Sequence, residues 1–164
     1  MHGNTTPSSA SAGTGLRDQV MRTPPEKLSF VADTDFPDVY GVLVDWPIGD
    51  AVASILALRD GSASLYTTST FGIIGGGGHE SVRAAAQICV HVAADYLAQS
   101  QAAADFPLPA NDDVYFYLLT YAGVRRCVGD LTAMSRGVDS TGPLFAAAQE
   151  VLTQLKMTVE ERQR

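Results

Sequence analysis

The stretch Phe71-Gly72-Ile73-Ile74-Gly75-Gly76-Gly77-Gly78-His79-Glu80 marks a change of period in the chain. Upstream of it, Ala63, Leu65 and Thr67 alternate with Ser64, Tyr66 and Thr68, the period-two pattern of a half-solvated strand over Ser62–Thr70. Downstream, from Glu80 to Gln101, apolar residues fall at Val82, Ala85, Ala86, Cys89, Ala93, Tyr96 and Leu97. Spacings of three and four define one face of a helix, and Arg83, Gln87, His91 and Asp95 step along the opposite face. Four consecutive glycines permit positive φ and close backbone approach. The run is therefore expected to turn the chain sharply from a strand into a long Ala-rich helix that lies across a sheet.

Two further strand-like runs precede this junction. Val39-Tyr40-Gly41-Val42-Leu43-Val44-Asp45-Trp46 is rich in β-branched and aromatic residues, and Ala51–Leu58 is a second apolar run. Pro47-Ile48-Gly49-Asp50 has turn composition, and Arg59-Asp60-Gly61-Ser62 carries the Asp-Gly hairpin signal. Three short strands joined by tight turns predict an antiparallel meander. After the helix, residues 104–113 form a linker with Pro107 and Pro109, and Val114–Tyr121 is the clearest strand in the chain. Ala122-Gly123 turns it back into a fifth strand, Val124–Val128, and residues 131–140 read as a loop. Thr141-Gly142-Pro143 then opens a second helix, with proline in the first turn where its missing N–H costs nothing, and Leu144, Ala148, Val151, Leu152 and Leu155 form its apolar stripe.

The order β-β-β-α-β-β-α predicts an α+β fold, a two-layer sandwich of a five-stranded, largely antiparallel sheet with two helices on one face. The layout is similar to profilin-like, roadblock and longin domains, although their elements follow a different order, and a fold-level likeness carries no function.

The chain has 164 residues, 46% of them apolar and 18% charged, enough to fill the core of one domain. Residues 1–27 are dominated by small and polar types, cannot bury enough surface to offset their ordering entropy, and are expected to be a disordered N-terminal tail. The pattern allows a short helical turn near Leu16–Met21. Residues 28–164 are expected to form a single domain. The net charge is −7; the tail holds three basic and two acidic residues and the remainder eight and sixteen. A negative domain argues against a nucleic-acid surface or an anionic-membrane anchor. No stretch approaches the roughly 20 apolar residues of a membrane helix, and no apolar run of signal-peptide length occurs near the start, so a cytoplasmic location is expected. Two cysteines, Cys89 and Cys127, make neither a disulfide framework nor a four-ligand zinc site, and both read as reduced core residues.

Chemistry is concentrated at the glycine run. Gly75, Gly76, Gly77, Gly78 and His79 at a helix N-terminus offer backbone N–H groups and a positive dipole end to an anion. Nothing there fits the P-loop pattern, no lysine follows, and Glu80 would repel a phosphate. The run is similar to the GGGH signature of the C-terminal domain of the DHH phosphoesterases; the likeness covers five residues, no Asp-His-His motif occurs, and the family is not assigned. His79-Glu80-Ser81-Val82-Arg83 departs from the H-E-x-x-H zinc motif at its last position, and His91 on the polar face reads as a surface residue. Asp33, Asp35 and Asp38 lack the spacing of a calcium loop and read as a solvated acidic segment. Arg125 and Arg126 must project to opposite faces of the fifth strand. Tyr115, Phe116, Tyr117 and Tyr121 also alternate, which leaves tyrosines exposed on the helix-free face unless something covers them.

No catalytic constellation, metal site or cofactor is implied. The expected function is therefore a non-enzymatic interaction or small-ligand-binding module that self-associates as a homodimer. The alternative is a small enzyme or nucleotide- and phosphate-binding protein, taking a small anionic ligand between Gly75–His79 and Arg125 or Arg126.

Overall fold

The computed structural model describes residues 9–68 and 79–162, with side chains from Gly15 onward. In chain order the elements are α1 (Ser9–Arg22), β1 (Val39–Ile48), β2 (Ala51–Leu58), β3 (Ala63–Thr67), α2 (Glu80–Ala94), β4 (Gln101–Ala102), β5 (Asp113–Thr120), β6 (Gly123–Asp130), α3 (Leu131–Ser135) and α4 (Gly142–Arg162). The fold is α+β, built on one sheet of order β3-β2-β1-β5-β6-β4 in which every neighbouring pair is antiparallel.

Turn chemistry sets the meander. Gly49, at φ +60°, closes the two-residue β1–β2 turn between Ile48 and Ala51. Pro47 sits beyond the last β1–β5 pair, Asp45 with Tyr115, where its missing N–H breaks no ladder bond. Gly61 lies at φ +89° in the β2–β3 turn, and a Cβ there would come within 1.9 Å of Cγ of Arg83. Only glycine lets α2 approach this turn so closely.

Val42, Val44 and Trp46 of β1 face α2 and α4, while Leu43 and Asp45 face the other way. The first face packs on Val82, Ala86, Cys89 and Ala93 of α2 and on Leu144, Ala148, Val151 and Leu155 of α4, as the spacing predicts, and on Val90 of α2, which the predicted stripe omits. The opposite face is also a core. Tyr40, Leu43, Leu56, Tyr66, Tyr117 and Leu119 lie beneath Met21 of α1, with Leu28, Phe30 and Phe106 at the margins. A central strand covered on both sides explains why Val42, Leu43 and Val44 are all fully buried.

Three features differ from the sequence expectation. The sheet has six strands, because Gln101–Ala102 adds to β6, and α2 stops at Ala94 so that a 3-10 turn can carry the chain there. The two-layer description gives way to three layers. Ser9–Arg22, inside the segment expected to be disordered, is a helix over the tyrosine-bearing face, where Tyr117 is buried and Tyr115 and Tyr121 are half-buried. Residues 131–140, read as loop, begin with the one-turn helix α3, whose Ala133 N–H is capped by Asp130. The four glycines Gly75–Gly78 and the end of the third predicted strand lie outside the described residues.

Candidate interaction site

The two ends of the sheet are treated differently. At the β6 end, Gln101 and Ala102 pair with Arg126 and Arg125, and the Ala103 N–H donates to the carbonyl of Val124 at 2.9 Å. Four residues beyond Arg126, the Asp139 carboxylate accepts the outward Asp130 N–H at 2.9 Å. Asp139 also accepts the Thr141 N–H at 2.8 Å and the Thr141 hydroxyl. Burial pushes the Asp139 carboxyl up, but these three hydrogen bonds outweigh burial and hold it below its ordinary value. A depressed carboxyl contributes stability that is present above the unfolded value near 3.8 and lost as pH falls through the folded one. Asp139→Asn should therefore flatten the loss of stability between pH 5 and pH 3, with a cost of about 1 kcal/mol at pH 7, read from urea unfolding at the three pH values.

At the other end, β3 is the last strand of the order among the described residues. The bonds from Leu58 N–H to Ser62 carbonyl and from Thr68 N–H to Val52 carbonyl fix which residues face β2. By alternation Ser64 and Tyr66 face inward, and the backbone of Ala63 and Leu65 faces out. The strand, Ala-Ser-Leu-Tyr-Thr, holds no charge and no proline.

Beneath α1 lies a buried charge network. Asp45 on β1 is fully buried and Arg17 of α1 is 2% exposed. Arg17 Nη2 donates to Asp45 Oδ2 at 2.6 Å and Nε to both carboxylate oxygens at 3.1 Å. The Ser54 hydroxyl on β2 donates to Asp45 Oδ1 at 2.5 Å. The guanidinium also donates to the Pro107 carbonyl and to Asp18, and lies 5.4 Å over the Tyr117 ring, whose hydroxyl donates to the same carbonyl at 2.6 Å. Burial pushes the Asp45 carboxyl above its ordinary value; Arg17 and Ser54 oppose that shift. For Arg17, burial acts downward, and hydrogen bonding and attraction to Asp45 overcome it.

The segment between α1 and β1 is held separately, by Arg59. Its guanidinium donates to the Val31 carbonyl at 2.6 Å, to the Tyr121 hydroxyl at 2.7 Å and to Asp33, and lies over the rings of Phe30 and Phe36. On its far side the Phe36 ring stacks on His91, 4.4 Å between centroids. Arg59→Ala is expected to raise the amide exchange rate of Asp33 and Phe36 while β1 and β5 keep their protection, measured by hydrogen exchange.

The sequence-predicted site residues are dispersed. Gly75, Gly76, Gly77 and Gly78 lie outside the described residues. His79 is the extended residue before α2 and makes no side-chain cap. Arg83, one turn on, packs over the β2–β3 turn, whereas the far end of α2 leads to Tyr96, whose carbonyl accepts from Cys127 of β6. The 15 residues of α2, about 22 Å, thus lie between His79 and the β6 arginines, which the fold does not bring together. Arg125 donates to the Ser100 hydroxyl and carbonyl, both at 2.7 Å, and lines a shallow cleft of about 250 Å3 with Asp38, Leu97, Thr120 and Tyr121. Arg126 lies on the other face, 4.9 Å over Tyr115. Cys89 and Cys127 are both free and buried, and burial pushes their thiols up to about 12 and about 11, so neither supplies a thiolate near neutral pH. Among the described residues no three metal-ligating side chains are grouped, and no helix is long and apolar enough to cross a membrane.

Arg17, Asp45, Ser54 and Asp139 carry the polar architecture, and none of the four lies in a recognisable sequence motif. A usable signal was present for one: Asp45 is the lone carboxylate in the otherwise apolar run Val42–Trp46. The fold and these contacts define the chain as an α+β protein with one antiparallel six-stranded sheet covered on both faces. Compared with known proteins, it matches no family model, no curated protein and no solved structure.

Proposed function

We propose that the chain is a non-enzymatic interaction module that self-associates by pairing β3 with β3 of a second copy, antiparallel, into one continuous sheet. The observation that supports this reading is the contrast between the two sheet ends. The β6 end is covered by β4 and capped by Asp139, while β3 lacks the charge, proline or bulge that commonly blunts an edge strand. A pairing centred on Leu65 sets Ser64 of each copy opposite Tyr66 of the other, with no like charges in register. Self-pairing by this route does not need an exposed tyrosine face, which α1 occupies. The alternative, a small enzyme or phosphate-binding protein, draws no support from the placement of Arg125 and Arg126, whose guanidiniums are engaged within the protein.

Light scattering coupled to size exclusion tests the proposal. At about 100 μM the full chain is expected to have the mass of a dimer. Ser64→Lys, at a half-buried position on β3, should return it to a monomer with the fold intact. A strictly monomeric unsubstituted chain, or a dimer indifferent to Ser64→Lys, would overturn the reading.

A further inference from the structure

We infer that the face beneath α1 is a helix-binding groove, occupied in this chain by its own N-terminal helix, and that its partner in trans is a short amphipathic helix carrying one arginine. The inference does not rest on β3 pairing, which uses the backbone edge of that strand, whereas Tyr66 of the same strand contributes its ring to this face.

Three observations carry it. First, α1 is a weak helix on a strong floor. Its sequence, SASAGTGLRDQVMR, includes two glycines, two serines and a threonine, all poorer helix formers than alanine. Within its described side chains only Arg17 and Met21 are buried, and Leu16 remains 40% exposed. The floor it covers is formed by Leu43, Leu56, Tyr66 and Tyr117, with Phe106 as one wall. Helices this short depend on docking and not on propensity for their order.

Second, the groove carries a chemical requirement. Asp45 is fully buried in its floor, where its ion-pair partner is Arg17. A segment that replaces α1 and brings a guanidinium to the same place spares Asp45 from standing uncompensated or taking up a proton, both of which cost free energy. Arg17, Val20 and Met21 give the spacing, with apolar residues three and four positions after the arginine.

Third, α1 can leave without unthreading the fold. The segment that follows it is fastened on its own account by Arg59, by the Phe30–Tyr40 ring contact and by the Tyr121 hydroxyl on the Phe36 carbonyl at 2.8 Å. Release of α1 therefore opens the groove and leaves the neighbouring cover in place.

The test uses a fluorescent synthetic peptide with the sequence of residues 9–22 and the full-length chain. A site filled in cis has its apparent affinity reduced by the fraction of time it stands open. The Arg17→Ala chain, with its own anchor gone, is expected to bind the peptide at least about ten-fold more tightly than the unsubstituted chain does. A peptide that itself carries Arg17→Ala should fail to bind. Absence of binding to a folded Arg17→Ala chain up to about 1 mM peptide would overturn the proposal, as would binding that ignores the arginine of the peptide. Hydrogen exchange on the unsubstituted chain keeps the question open to refutation should Arg17→Ala not fold. Exchange of residues 16–22 through openings that leave β1 and β5 protected supports a displaceable helix; exchange only with the whole sheet overturns it. A dimer abolished by Arg17→Ala and unaffected by Ser64→Lys would make α1 of a second copy the occupant, and would overturn the foreign-helix reading.

Discussion

Arg17→Ala is expected to lower the unfolding free energy by about 3 kcal/mol, a fall in melting temperature of roughly 6–12 °C for a domain of this size. The physical cause is the carboxylate left behind. Asp45 sits at zero exposure in the middle of the sheet, and of its partners only Ser54 would remain. The size of the loss is set by the cheapest of three responses: keeping a buried charge with one hydroxyl for company, protonating it, or releasing α1 so that water reaches it. Replacing both partners separates the effects. Arg17→Met together with Asp45→Leu removes the charges and keeps apolar volume, and should recover most of the loss, because an apolar substitute for a buried pair is commonly neutral or better. Chemical denaturation of the two variants decides the matter. A cost below about 1 kcal/mol for Arg17→Ala would mean that the pair does not anchor the helix.

Gly129→Ala comes second, at about 2 kcal/mol. A Cβ on Gly129 would lie 2.3 Å from Oγ1 of Thr141, 2.4 Å from Cε of Met134 and 3.2 Å from the Phe116 ring. Met134 has a flexible end and can give way. Thr141 cannot give way so easily, since its hydroxyl and its N–H are both bonded to Asp139, and Asp139 also holds Asp130. The added methyl must push against the joint that fastens the start of α4 to the end of β6. A thermal melt is the measurement. A loss under 0.5 kcal/mol, the range of an ordinary surface change, would show that this joint is slack.

The other expected results bear on single functions of the fold. Asp139→Asn isolates the acid-side stability of the β6 cap, Arg59→Ala isolates the fastening of the segment before β1, and Ser64→Lys isolates the proposed β3 pairing. Their readouts do not overlap, so each can fail alone.

Much of the fold was legible because it is written in short-range chemistry. Gly49 and the Asp60-Gly61 pair mark the two meander turns, and Val82 through Ala93 and Leu144 through Leu155 mark the helix faces by spacing alone. The opposite projections of Arg125 and Arg126 follow from strand alternation and are found as expected, one on Ser100 and one on Tyr115. The reach of α2 was overestimated, since apolar Tyr96 and Leu97 continue the helical spacing after the chain has turned toward β4.

What sequence alone determined, then, is the alternation of strands and helices and the face each turns inward, since spacing and turn residues act within a few positions of the chain. The fate of the tyrosine face, the partner of Asp45 and the cover on β6 were decided only in three dimensions. Arg17 and Asp45 are 28 residues apart, and Asp139 reaches Asp130 only after α3 folds the chain back. A polar residue's role depends on which opposite charge or backbone group the fold brings within hydrogen-bond distance. Local pattern holds no record of that, so a segment poor in apolar residues became an ordered helix once a buried carboxylate stood waiting for its arginine.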